Sequence, residues 1–244
     1  MEAGGTRHTR SRAEIAGGMK GLRTMKNFLR VDFHTHTVFS RDGLTKIPEF
    51  IAAARRAGLD RVAVTDHNTL RGALEAADRA PDLIIPGEEI MTTEGELLGY
   101  YLNREVPKGL LPEEAISRLR DQGAMISVSH PFDRFRHGAW KIDALRRILP
   151  LVDAVEGFNA RCLFAEDNRR ADSFAAENHI PRTAGSDGHT GFELGAAGLR
   201  IPPFQDAKTL HAALSGAEVF GRLLPWWVHF YSSYAKWKKS IIDK

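Results

Sequence analysis

From residue 29 onward the chain alternates short apolar runs with stretches of helical periodicity, and this alternation is its strongest constraint. Apolar runs at 29–36, 61–65, 83–90, 97–102, 124–129, 152–158 and 181–184 read as strands. The segments 47–57, 69–80, 112–122, 141–149 and 163–178 read as helices. Two further strands at 197–201 and 218–220 flank a helix near 207–215. Strands that alternate with helices predict a parallel sheet. Six or seven such units in about 190 residues predict an α/β fold of the closed or nearly closed barrel type. The span 29–222 contains no linker, repeat or low-complexity segment and reads as one domain.

Composition sets limits around that core. A single cysteine, Cys162, excludes an internal disulfide and any multi-cysteine zinc module. It fits a reducing compartment, and the expected location is the cytoplasm. No apolar run approaches the roughly 18 residues that span a bilayer. The net charge of +3 invites a nucleic-acid reading. The surplus, however, sits at the ends. Residues 1–30 hold seven bases and two acids, and 225–244 hold four lysines and one aspartate. The body between them is mildly acidic, so no basic groove for a long nucleic acid is expected. Residues 1–28, rich in Gly, Arg, Ser and Thr, read as a disordered extension. Structured sequence begins near Phe28, which makes Met19 and Met25 candidate starts. Residues 223–244 read as an aromatic and basic C-terminal helix or tail. The favoured role is docking on the barrel; self-association and peripheral membrane contact are the special alternatives.

The chemistry lies where polar residues end the apolar runs. Five of the ten histidines fall at strand ends, and in an α/β barrel those ends share one rim. Alternation on a strand puts Asp32, His34 and His36 on one side, and two imidazoles at i, i+2 can grip one metal. Asp32 is placed to orient one of those rings. Thr65-Asp66-His67-Asn68 ends the second strand. Pro86-Gly87-Glu88-Glu89 ends the third, and periodicity does not decide which acid points inward. Ser129-His130-Pro131 follows the strand at 124–128. Gly185-Ser186-Asp187-Gly188-His189 repeats the i, i+2 arrangement. Core histidines held only by packing would not sort onto one rim in this way.

As an ordered set these motifs resemble those of the PHP (polymerase and histidinol phosphatase) superfamily. The set is DxHxHT at Asp32–Thr37, SxDG at Ser40–Gly43, TDHN at Thr65–Asn68, PGxE at Pro86–Glu89, SHP at Ser129–Pro131 and GSDxH at Gly185–His189. The resemblance covers roughly residues 30–200. It implies a distorted (βα)7 barrel holding two or three divalent metal ions. It further implies that His34, His36, Glu89 and Asp187 ligate the first metal. Glu89, rather than Glu88, bridges to a second metal that also takes His130. Asp42, His67 and His189 hold a third. Asp32 and Asp66 are the supporting carboxylates behind these ligands. One departure concerns the second metal: many trinuclear members carry a histidine in the strand after SHP, where this chain has Asn159.

Imidazole and carboxylate without thiolate suit Zn, Mn or Fe. The implied reaction is hydrolysis of a phosphate ester by a metal-bound water, with Asp187 and His189 as candidate proton-transfer groups. Asn159 and Arg161 are the expected substrate-binding residues, Arg161 as a bidentate phosphate donor. Arg134, Arg136 and His137 follow SHP in a loop that can face the site. Phe132, Phe135 and Trp140 are read as packing that loop down, and Cys162 as a small buried residue. The expected substrate is a small phosphorylated molecule such as a nucleotide. A 5′→3′ exonuclease of short oligonucleotides and a noncatalytic metal-stabilised module are the alternatives.

Overall fold

The chain curls its strands round on themselves, and the reason begins with local signals. The computed structural model describes Met1 and residues 27–136 and 138–242. Most of the basic extension at 1–28, and His137, lie outside the described residues. Strand β1 (Leu29–Asp32) leads to α1 (Ile47–Arg56), which opens with a proline in its first turn. Glu49 stands near its N-terminus and Arg55 and Arg56 near its C-terminus, each matching the helix dipole. Gly58, at φ +70°, ends it in the left-handed region that glycine adopts without strain. Then follow β2 (Arg61–Val64), α2 (Arg71–Arg79), β3 (Ile84–Met91) and β4 (Glu96–Tyr100). Next come α3 (Pro112–Arg120), β5 (Met125–Val128), α4 (Ile142–Ile148), β6 (Ala154–Asn159), α5 (Ala165–Glu177) and β7 (Arg182–Gly185). The chain ends with β8 (Ala197–Ile201), α6 (Ala207–Ala213), β9 (Glu218–Gly221) and α7 (Val228–Ile242).

The sheet order is β7-β6-β5-β4-β3-β2-β1-β8-β9. β1, β2 and β3 run parallel, as do β5, β6 and β7. β4 differs from the expected parallel sheet: it pairs antiparallel with both β3 and β5. The connection from Met91 to Glu96 is too short for a parallel crossover, so β4 can only fold back as a hairpin. β8 and β9 are also antiparallel and extend the sheet beyond β1. β7 returns to β1, where Phe33 N donates to Ala184 O (3.2 Å) and Thr35 bridges Gly188 in parallel. The result is the expected α/β barrel, nearly closed.

Apolar burial fills its interior. One cluster takes a residue from every strand around the barrel, including Val31, Ala63, Ile85, Leu98, Met125, Ala154 and Ala184. Phe33 meets Tyr100 edge to face across it, with ring centroids 5.6 Å apart. Phe204, Leu210 and Leu214, around α6, belong to the same cluster. A second cluster packs helices such as α1, α2 and α3 against the sheet. With the interior so filled, polar residues at the strand ends collect on the rim.

α7 turns Val228, Ser232 and Ala235 inward. Its opposite row, Phe230, Tyr234, Trp237 and Ile241, is exposed. No helix of the described residues is long and apolar enough to cross a membrane.

Candidate metal centre

Two i, i+2 segments zip together to found the site. His36 N donates to Gly188 O (2.8 Å) and Asp187 N to His34 O (2.7 Å). This pairing brings His34, His36, Asp187 and His189 to one place. Gly185 permits the approach, because a Cβ there would lie 2.4 Å from the Cβ of His34. Asp187 holds φ at +53°, an uncommon conformation for a non-glycine residue and one often found at functional sites.

Four buried side-chain atoms without a hydrogen-bond partner converge there: His34 Nε2, His36 Nε2, Glu89 Oε2 and Asp187 Oδ1. Glu89 Oε2 lies 3.2 Å from His34 Nε2 and 3.4 Å from His36 Nε2. Asp187 Oδ1 lies 3.1 Å from His36 Nε2 and 3.7 Å from His34 Nε2. Ligands about 2.0–2.2 Å from a tetrahedral metal stand about 3.3–3.6 Å apart. The donor set and its spacing therefore fit a divalent cation. Hydrogen bonds at the far side of each ring reinforce the fit. His34 Nδ1 bonds Glu156 Oε1 (2.9 Å) and His36 Nδ1 bonds Ser40 Oγ (3.0 Å). His189 Nδ1 bonds Asp187 O (2.7 Å). A proton on each Nδ1 leaves Nε2 with its lone pair turned inward.

Glu89 is the hub. Its Oε1 meets His130 Nε2 (3.0 Å) and accepts from Ser129 Oγ (2.7 Å). Its Oε2 also lies 3.0 Å from His67 Nδ1. Asp42 faces His189 Nε2 through Oδ1 (3.3 Å) and His67 Nε2 through Oδ2 (3.7 Å). All eight residues predicted as ligands thus meet on one rim, with Glu89 inward. Glu88 turns away and accepts from Val106 N (2.9 Å).

Charge at this rim is strongly coupled. Burial alone would push Glu89 and Asp187 up, yet both are held well below the usual carboxylate range. His34 and His67 lower Glu89; Arg136 and His34 lower Asp187. Asp42 is lowered in the same way, chiefly by His189 against its burial. His36 is lowered by burial and by the neighbouring His189 and His67, which favours the neutral, ligating ring.

Comparison with known proteins places this geometry in a family. The PHP domain model matches residues 32–101, and the PHP-associated model matches 165–219. Two uncharacterized proteins of Methanocaldococcus jannaschii are related in sequence. MJ1587 is 36% identical over 54% of this chain and 82% of its own length. MJ0417 is 35% identical over 71% of this chain and 70% of its own. The chain belongs to the PHP family. Among solved structures, a Bacteroides vulgatus two-domain protein containing a predicted PHP-like metal-dependent phosphoesterase superposes with a TM-score of 0.66. It shares 20% identity, over 80% of this chain and 65% of its own.

Within this PHP domain, two acids that sequence reasoning missed complete the centre. Glu96, at the start of β4, is buried with Oε2 3.5 Å from His130 Nε2 and Oε1 3.8 Å from His67 Nδ1. His67, Glu89 and Glu96 form one group with metal-binding spacing. Glu156, on β6, accepts from His34 Nδ1 and, through Oε2, from His130 N (2.8 Å). An acid inside the apolar run Ala154-Val155-Glu156-Gly157-Phe158 was the available signal. Glu96 carried a weaker one, a lone acid opening the buried strand β4.

The supporting acids act differently from one another. Asp66 accepts from Thr37 N (2.6 Å) and Ser40 Oγ (2.8 Å), so it steadies His36 through Ser40. Asp32 makes no ring contact, unlike the expectation from alternation. It accepts from Ser186 N (2.9 Å), Ser186 Oγ (2.6 Å), Gly195 N (2.9 Å) and His34 N (3.3 Å). β1 ends at Asp32, so the two-residue alternation stops before His34.

The two residues expected at the substrate have protein partners instead. Asn159 Nδ2 donates to Glu156 Oε2 and Asp187 Oδ2, both at 3.2 Å. Arg161 is buried, paired with Glu193 (2.5 Å) and donating to Ser232 Oγ (2.8 Å). Arg136, from the loop after SHP, reaches the centre and pairs with Asp187. Arg134 turns away to Asp167 (2.6 Å). Phe132 packs on Phe174 and Trp140 is buried with Nε1 on Glu96 O, as a packing role requires. Phe135 is exposed and stacks on Phe164.

Proposed function

We propose that this PHP domain is a metal-dependent phosphoesterase that hydrolyses a phosphate ester of a small molecule such as a nucleotide. The observation that carries the reading is the convergence of four orphaned, buried donor atoms at metal-ligand spacing. His34, His36, Glu89 and Asp187 would hold one divalent ion. Glu89, His130 and Glu96 would serve a second position, and Asp42, His67 and His189 a third. Glu96 would add a carboxylate beside His130, at the position whose histidine is replaced here by Asn159. Zn, Mn or Fe suits this set, and such ions supply Lewis acidity and lower the pKa of water towards neutrality.

The protein's own groups do the rest. Glu156 and Ser40 fix the ring orientations of His34 and His36. His189 Nδ1 is held by the Asp187 carbonyl, which sets its tautomer and turns Nε2 toward Asp42, where it would serve as a ligand. Arg136 places a guanidinium beside Asp187, where a phosphoryl group carries negative charge. Beside the centre opens a cleft of about 690 Å³ lined by Asp42, His67, Glu96, Arg136 and Lys236. That volume suits a mononucleotide-sized ligand.

Metal-analysed protein assayed against mononucleotides, sugar phosphates and short oligonucleotides tests the reading. Turnover of a small monoester is expected. No turnover with Zn, Mn or Fe bound contradicts it and favours a noncatalytic module. Turnover of oligonucleotides alone favours the exonuclease alternative.

A further inference from the structure

Helix α7 lies beyond both segments that the family models match, yet it reaches the centre. Three polar contacts lay it across the rim. Lys239 Nζ donates to the carbonyls of Val38 (2.6 Å), Ser40 (2.5 Å) and Gly43 (2.8 Å), the loop that carries Asp42. Ser232 accepts from Arg161, itself paired with Glu193. Lys236 Nζ stands 3.2 Å from Asp42 Oδ2.

These contacts differ in kind. Lys239 spends three donors on one loop, which is a tether. Lys236 is 54% exposed, and a half-exposed Lys–Asp pair contributes about 0–1 kcal/mol, too little to account for the docking of a helix. Its position is informative instead. The 690 Å³ cleft adjoins a second cavity of about 280 Å³, and Asp42, Arg136 and Lys236 line both. Arg136 is held in place on the wall shared by both cavities by Asp133, through Nε, and Asp187, through one terminal nitrogen. Lys236 is a compact charge on a flexible stem, free to swing from Asp42 toward an anion in either cavity. A cation held at Asp42 repels the ammonium and favours that swing.

We propose that Lys236 binds an anionic oxygen of the substrate, so that α7 completes a phosphate subsite together with Arg136. This rests on the phosphoesterase reading above. The ligand class is a phosphoryl group, free or esterified.

The test compares full-length wild type with Lys236→Gln and Lys236→Arg. Inorganic phosphate binding to the metal-loaded protein is measured by calorimetry, beside KM, kcat and metal content. Lys236→Gln is expected to weaken phosphate binding and raise KM about 10-fold or more. The effect on kcat is smaller, metal content and melting temperature are unchanged, and Lys236→Arg restores most of the affinity. Turnover with unchanged phosphate affinity and KM in Lys236→Gln overturns the proposal alone. So does a rise in bound metal at constant KM, which shows the lysine standing in for a cation. Wild type with neither turnover nor phosphate binding overturns the function itself.

Discussion

Two sets of acids lie a few residues apart in the same barrel, equally buried, and they do opposite work. Asp32 and Asp66 are surrounded by neutral donors from Ser186, Gly195, Thr37 and Ser40. Burial outweighs those bonds, and Asp32 is pushed up to about 6 while Asp66 is also raised. Glu89, Asp187 and Asp42 are surrounded by imidazoles and by Arg136, and all three are lowered despite burial. The oxygens of Asp32 and Asp66 close loops onto strands. Glu89, Asp187 and Asp42 each keep an oxygen without a hydrogen bond. Burial alone therefore does not separate these acids; an orphaned oxygen beside a ring nitrogen sets Glu89, Asp187 and Asp42 apart.

Removing a rim ligand should separate the two sets most sharply. His34→Ala or Asp187→Ala is expected to lower activity about 10³-fold or more and to lose metal, with circular dichroism showing the fold retained. Full activity in either variant breaks the distinction. Asp32→Ala should do the reverse, acting first on the fold. It strands donors of Ser186, Gly195 and His34, at about 1–3 kcal/mol for each unsatisfied buried group. Urea unfolding should show a loss of about 3 kcal/mol or more, well beyond that of either rim variant.

The legibility of the chain follows the same division. The strand ends pointed to the five histidines, Glu89 and Asp187 because histidines and acids at the tips of apolar runs have few structural uses; Asp42, in a loop, and the choice of Glu89 over Glu88 came only from the family motifs. The helices were legible from periodicity, and two of their ends from Pro112 and Gly58. The direction of β4 was hidden, since an apolar run reads the same in either sense; only the short link at 92–95 tells. Asp32 was misplaced because alternation was extended past the end of β1. Glu156 and Glu96 were missed because each is a single acid in an apolar strand, with no neighbouring histidine in sequence. Arg161 was read as facing substrate because its partners Glu193 and Ser232 are remote in sequence.

Smaller effects sharpen the comparison. Glu156→Gln keeps a ring partner for His34 but removes its charge. Metal affinity should fall about 10–100-fold, measured by competition with a chelating dye, with little change in stability. A buried acid outside both sets gives a pH test. Burial, with Glu105 adding to it, pushes Glu88 up to about 8 from 4.5. Because the folded value is raised, the folded state binds the extra proton between these values. The stability associated with protonated Glu88 is complete below about 4.5 and is lost as pH rises through about 8. Glu88→Gln should therefore gain melting temperature over wild type across that window, with a constant gap above it. A gap that shrinks as pH rises contradicts this sign.

Anomalous diffraction from crystals grown with Mn or Zn tests the centre most directly. The expected result is a peak bonded to His34 Nε2, His36 Nε2, Glu89 Oε2 and Asp187 Oδ1, absent in the His34→Ala protein. A metal bound elsewhere, or those four atoms closing into hydrogen bonds with each other in metal-replete crystals, would contradict it.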